Sequence, residues 1–158
     1  MAIEPVVRRA TTGDLASLVA IDEAARSSLV DQRGGEAWLA EHPALSTLVA
    51  SEVDASEVVD RSVVGVIDDV IVGFAVGEID EDPRRGGIMR VDRVHVVAEA
   101  RELGFGDALL ATLIGIGRDR GCRFVEGQAL PGDRETKNLY ERAGITARLI
   151  TVSRRLDG

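Results

Sequence analysis

The sequence predicts an α/β protein of the α+β kind, and three stretches carry that expectation. Residues 62–67 and 70–78 are β-branched runs joined by Asp68-Asp69, a two-residue turn of the type that closes an antiparallel hairpin. Residues 88–97 hold Val91, Val94, Val96 and Val97 in a near-continuous apolar run, which suits a strand buried on both faces. That strand feeds, through a short turn, a loop in which Gly104 and Gly106 bracket Phe105 and an apolar run of helical spacing begins.

Taken in order, residues 6–10 are a short candidate strand. Thr12 or Asp14 then supplies an N-cap for a helix through about residue 27, with Leu15, Leu18, Val19, Ile21 and Ala25 on its apolar face. Asp22 lies at the edge of that stripe and is expected to lean to solvent, with a substrate cavity as the alternative. Residues 27–35 read as a loop and 36–41 as a short helix carrying Trp38, which either packs that helix or lines an acceptor pocket. Residues 44–60 are too sparse in apolar positions to separate helix from irregular chain. Residues 78–87 read as a charged loop. The helix after Gly104 places Phe105, Leu109, Leu113 and Ile116 on one line and ends at Gly121. Residues 123–129 are then a strand, Asp133 caps a helix to Ala143, Gly144 ends it, and residues 145–156 supply one or two final strands.

Composition narrows the function classes. The 158 residues predict one domain, 1–158, with 45% hydrophobic and 29% charged residues. No apolar run approaches a membrane span, and the N-terminus has no secretory pattern, so the expected location is cytoplasmic, with no membrane partner. A single cysteine, Cys122, and two histidines, His42 and His95, argue against a disulfide scaffold and against a metal site. A formal charge of −8 argues against nucleic acid and favours a cationic partner.

Two glycines where a strand feeds a helix let a ligand approach the backbone, and the free N–H groups of the first helical turn favour an anion. The spacing, Arg101-x-x-Gly104-x-Gly106, is neither a Walker A loop nor the dinucleotide fingerprint. It resembles the pyrophosphate loop of the GNAT superfamily of N-acetyltransferases. Residues 133–145 resemble that superfamily's second signature, Asn-x-x-Ala-x-x-x-Tyr-x-x-x-Gly-Phe. Tyr140 and Gly144 match, while Asp133, Thr136 and Ile145 replace asparagine, alanine and phenylalanine.

The resemblance implies a mixed, mainly antiparallel sheet flanked by helices, with splayed central strands that bind CoA. It implies acetyl-CoA as cosubstrate and transfer of its acetyl group to an amine by direct attack. Val94, Val96, Arg101, Gly104, Phe105, Gly106, Asp107, Lys137 and Tyr140 are the CoA-binding positions it nominates, Asp107 being expected to face away from the phosphates. Tyr140 is nominated as the acid that protonates the thiolate, against the alternative of a core tyrosine. Asp92 matches the strand position of a glutamate base, and alternation puts Asp92, Val94 and Val96 on one face; a salt-bridged or solvent-facing aspartate is the alternative. Glu78 and His95 are weaker bases, His95 because it points to the opposite face unless a bulge intervenes. The acceptor is a small-molecule or peptide amine, cationic before reaction if Asp22, Glu78, Asp80, Glu81, Asp82 and Asp92 edge the cleft. A homodimer is left open. A non-catalytic CoA- or acyl-CoA-binding sensor or assembly module is the second reading.

Overall fold

The computed structural model describes residues 3–158. Its five strands form one sheet in the order β1-β2-β3-β4-β5. They are β1 (Val6–Arg9), β2 (Ser62–Ile67), β3 (Val70–Asp82), β4 (Gly86–Val96) and β5 (Phe124–Glu126). The first four pair antiparallel, and β5 lies parallel to β4. Six α-helices accompany them: α1 (Leu15–Leu29), α2 (Gly35–Glu41), α3 (Leu45–Leu48), α4 (Glu52–Asp60), α5 (Phe105–Asp119) and α6 (Arg134–Arg142). This is the mainly antiparallel, helix-flanked sheet that the sequence predicts.

The hairpin turn at Asp68-Asp69 has φ of 47° and 65°, the doubly left-handed turn that matches strand twist. Before α1, Asp14 accepts from the Thr11 N–H at 2.8 Å and takes Arg8 of β1 at 2.7 Å. The guanidinium, the principal cause, holds that carboxyl down to about 2. Asp133 caps α6 by accepting from the Thr136 N–H at 3.1 Å, as its position predicts.

Two cores sandwich the sheet. On one face Leu109, Leu110 and Leu113 of α5 pack with Val63, Ala75, Val91, Leu139 and Tyr140. On the other, Leu18, Leu45 and Val58 from α1, α3 and α4 pack against Val64, Phe74 and Val76. Close approach sets two glycines: Phe105 lies over Gly65, and a Cβ there would stand 2.7 Å from its ring. Leu113 and Met89 cover Gly77 in the same way.

Three expectations change. Residues 78–82 continue β3 instead of looping, because Asp80↔Ile88 and Asp82↔Gly86 extend its ladder with β4. Residues 44–60 form two short helices, α4 capped by Ser51, whose Oγ accepts from the Asp54 N–H at 3.1 Å. Residues 145–156 form no strand in this chain.

Candidate active site

The site follows from how β4 and β5 part. They pair only at Ile88↔Phe124, Met89↔Val125 and Arg90↔Glu126. Beyond Arg90 the strands splay, opening a cleft lined by Asp92, Val94 and His95 on one side and Gln128, Leu130 and Asp133 on the other, with Trp38, Thr136 and Tyr140 around it. The Val97 N–H donates to Val72 O of β3 at 2.9 Å. Strand alternation therefore turns the N–H groups of Val94 and Val96 the opposite way, toward the gap.

A bulge controls which side chains reach this cleft. Val76 pairs with Arg93 but Gly77 pairs with Val91, so Asp92 is the extra residue of β4. Val91, Val94 and Val96 consequently share the α5 face. Arg93 and His95 take the other, Arg93 reaching α1 and His95 standing 5.6 Å from Phe74. Simple alternation, which groups Asp92 with Val94 and Val96, fails here because of that inserted residue. His95 does lie on the opposite face, yet it lines the same cleft as Asp92 and Tyr140.

Asp22 does not lean to solvent. It is 0% exposed, and its carboxylate takes Arg93 Nη1 at 2.8 Å and the Leu45 N–H at 2.9 Å. Arg93 also donates to Pro43 O at 2.9 Å and to Asp92 Oδ2 at 2.5 Å, and sits 5.8 Å from the Trp38 ring. One buried guanidinium thus ties α1, the chain entering α3, and the bulge together. Trp38 serves both suggested roles, stacking on His42 at 4.1 Å while lining the cleft.

The His95 imidazole is pushed down to about 4, chiefly by burial and against the pull of the Asp22 carboxylate 3.8 Å away. It is neutral at pH 7, and among the described residues its buried Nε2 has no hydrogen-bond partner. The Tyr140 phenol is raised well above its ordinary value, again chiefly by burial, and stays protonated at neutral pH. Its hydroxyl lies directly against Gly127, where a Cβ would collide with it. Tyr140 is both a core side chain and a cleft wall.

Beyond the end of β4, Gly104 sits at φ 88° and caps α5, outside the lining of the cleft itself. The first intrahelical bond is Ala108 N–H to Gly104 O, leaving the Phe105, Gly106 and Asp107 N–H groups without helical acceptors. The Phe105 side chain is buried with Val72 and Ala100, so only its backbone is available to a ligand. Asp107 turns to Arg142 of α6 at 2.9 Å. Arg101 lies 3.6 Å from Glu135, and Lys137 reaches Pro131 O at 3.4 Å; both cations are on exposed chain. Glu78 pairs with Arg61 at 3.4 Å and does not line the cleft. Asp80 is matched by Arg90 and Asp82 by Arg85, so of the six carboxylates expected at the mouth only Asp92 lines the cleft.

The sheet thus splays ahead of a helix, α5, whose first N–H groups have no helical acceptor. The family model for the GNAT acetyltransferase family matches residues 22–145, and the chain belongs to that family. A search of curated proteins gave no significant match. Solved structures agree in fold. The aminoglycoside acetyltransferase AAC(6')-Iy, in complex with a bisubstrate analogue of CoA and acetylneamine, is 20% identical, with TM-score 0.68 over 97% of this chain and 99% of that one. Glucosamine-6-phosphate N-acetyltransferase from Arabidopsis thaliana is 16% identical, with TM-score 0.68 over 98% and 100%. Ribosomal-protein-alanine N-acetyltransferase from Brucella melitensis biovar Abortus 2308 is 16% identical, with TM-score 0.67 over 98% and 99%. Among the described residues no helix is long and apolar enough to cross a membrane.

Proposed function

We propose that this chain moves an acetyl group from acetyl-CoA to a small-molecule or peptide amine by direct attack in the β4/β5 cleft. The observation that carries the reading is the protonated Tyr140 phenol at the cleft, on the helix that follows the splayed strand. The amides of Phe105, Gly106 and Asp107 fit a pyrophosphate, since Gly104 and Gly106 put no bulk over them. Arg101 and Lys137 supply cationic reach from either side. The N–H groups of Val94 and Val96 fit the pantetheine arm and the thioester oxygen, whose developing charge needs a fixed donor.

The acceptor nitrogen forms a bond to the acetyl carbon as the carbon–sulfur bond breaks. Tyr140 gives its proton to the departing thiolate and regains one from solvent. Before attack the ammonium form loses a proton into the cleft. Asp92 is the proposed acceptor through a water, with the neutral His95 Nε2 as a second one. The sensor reading has one observation in its favour: the Asp92 carboxylate is already held by Arg93.

Tyr140→Phe keeps the packed ring and removes only the hydroxyl. Release of free CoA thiol, followed across small amines, aminoglycosides, amino sugars and peptide N-termini, is expected to fall roughly a hundredfold with acetyl-CoA affinity unchanged. Unaltered turnover would return Tyr140 to the core alone. Acetyl-CoA binding with no turnover on any acceptor would favour the sensor.

A further inference from the structure

The charged side chains of the cleft are almost fully engaged with one another. Arg93 commits all three guanidinium nitrogens, to Asp22, to Pro43 O and to Asp92. Asp22 is wholly buried behind it. Asp133 accepts from the Thr136 N–H with one oxygen, at 3.1 Å, and from the Thr136 hydroxyl with the other, at 2.6 Å. Asp92 takes Arg93 on Oδ2, and its Oδ1 has no hydrogen bond among the described residues. The cleft therefore offers one free carboxylate oxygen.

Most of the remaining lining is apolar or aromatic. Leu29 ends α1, Trp38 stands on α2, and Leu130 follows β5, with Val94 and Tyr140 also on the cleft. Gly34, at φ 82°, starts α2 and accepts from the Trp38 N–H at 3.0 Å, so this left-handed turn positions the indole. A Cβ on Gly34 would stand 3.4 Å from Leu130 Cδ2 and 3.7 Å from Pro131 Cδ. The α1–α2 turn thus lies against the turn after β5 and bridges the cleft at that end. His95 is neutral at pH 7 and adds no cation. An acceptor with many hydroxyl or amino groups would find few side-chain partners here, and a polar group enclosed without one costs free energy.

Resting on the acetyltransferase reading, we infer that the acceptor is a primary monoamine on a compact apolar body, alkyl or arylalkyl, and neither a polycation nor an amino sugar. Its one ammonium meets Asp92 Oδ1, and its body lies among Leu29, Trp38 and Leu130. A second ammonium would meet no free carboxylate inside the cleft, because Glu78, Asp80 and Asp82 are paired with arginines outside it. The −8 charge draws cations in general and does not choose among them at contact distance.

Trp38 is the only tryptophan, so its fluorescence reports on the cleft without catalysis. The full chain is titrated with 2-phenylethylamine, ethylamine, spermidine and neamine, with and without CoA, which carries no acetyl group to transfer. Salt at about 0.15 M screens exposed carboxylates beyond roughly 8 Å. 2-Phenylethylamine is expected to bind roughly tenfold or more tighter than each of the other three, through burial of its ring. Gln128→Glu is an isosteric change at an exposed cleft position and supplies a second free carboxylate. It is expected to tighten spermidine by up to about fivefold, and more than it tightens 2-phenylethylamine. Spermidine or neamine binding the unaltered chain as tightly as 2-phenylethylamine overturns the proposal, as does a fluorescence that none of the four amines changes. Unaltered spermidine affinity in Gln128→Glu overturns it too, since free carboxylates would then not set the class. A preference for 2-phenylethylamine without release of CoA from acetyl-CoA on any amine supports this ligand class and counts against acetyl transfer instead.

Discussion

The two walls of the cleft are built by different means. The side proposed for the cofactor, from β4 into the start of α5, is made of backbone: amides at the start of α5, a left-handed Gly104, and strand N–H groups turned to the gap. The wall where β4 meets α1 and α2 is made of side chains. Asp22, Arg93, His95 and Trp38 meet there from distant parts of the chain, Asp22 and Arg93 being 71 positions apart. A backbone wall needs small residues at fixed spacing, so it leaves a local signature. A side-chain wall needs only that far-apart groups meet.

The largest expected effect falls on the side-chain wall. Asp22→Ala leaves the Arg93 guanidinium buried beside a carboxylate that also faces the cleft, and removes the acceptor of the Leu45 N–H. Breaking one side of a buried pair costs about 3–5 kcal/mol. Urea unfolding is expected to show a loss in that range. A loss below about 1 kcal/mol would mean that the pair does not hold α1 and α3 to β4, and the comparison of the two walls would fail.

Next comes the pH dependence of the same wall. His95 sits at about 4 in the folded chain, below the ordinary 6.5. Between those values the unfolded chain binds a proton that the folded one refuses, so stability rises with pH across the window. The contribution is complete above about 6.5 and disappears as pH falls toward 4. Its full size is about 3 kcal/mol. His95→Gln is expected to flatten the stability profile between pH 4 and 6.5, although Asp14, at about 2, keeps its own acid limb below pH 4. An unchanged profile would show that His95 titrates normally.

How much of this was legible divides along the same line. Tyr140 is singled out only by the resemblance, whereas Gly104 and the Asp133 cap are readable because each answers a local demand of helix start. The hairpin at Asp68-Asp69 was readable for the same reason. Asp22 is buried against expectation, since a carboxylate at the edge of an apolar stripe carries no mark of an arginine on another element. The bulge at Asp92 was equally silent: a valine-rich strand reads the same with or without one extra residue, yet that residue decides which faces Arg93 and His95 take. Residues 44–60 were unreadable because helices of 4 and 9 residues owe their stability to packing, not to propensity. Residues 145–156 have strand composition, but this chain's own sheet leaves them unpaired.

The smallest effect tests where the walls meet, at Gly127 after β5. A methyl there would occupy the position of the Tyr140 hydroxyl, and the ring is held by Leu139 and the α5 core, so it has little freedom to yield. Gly127→Ala should therefore displace the phenol by about 1 Å while leaving the α5 amides untouched. Misplacing a catalytic group by about 1 Å costs on the order of a hundredfold, so a fall in turnover of roughly that size is expected. Acetyl-CoA affinity, measured by calorimetry, should not change, because the amides proposed for the pyrophosphate lie on another element. Combining Gly127→Ala with Tyr140→Phe sharpens the result: with the hydroxyl already gone, the added methyl should cost little more. Equal losses from Gly127→Ala in both backgrounds would mean that the methyl acts on the cleft wall itself and not through Tyr140.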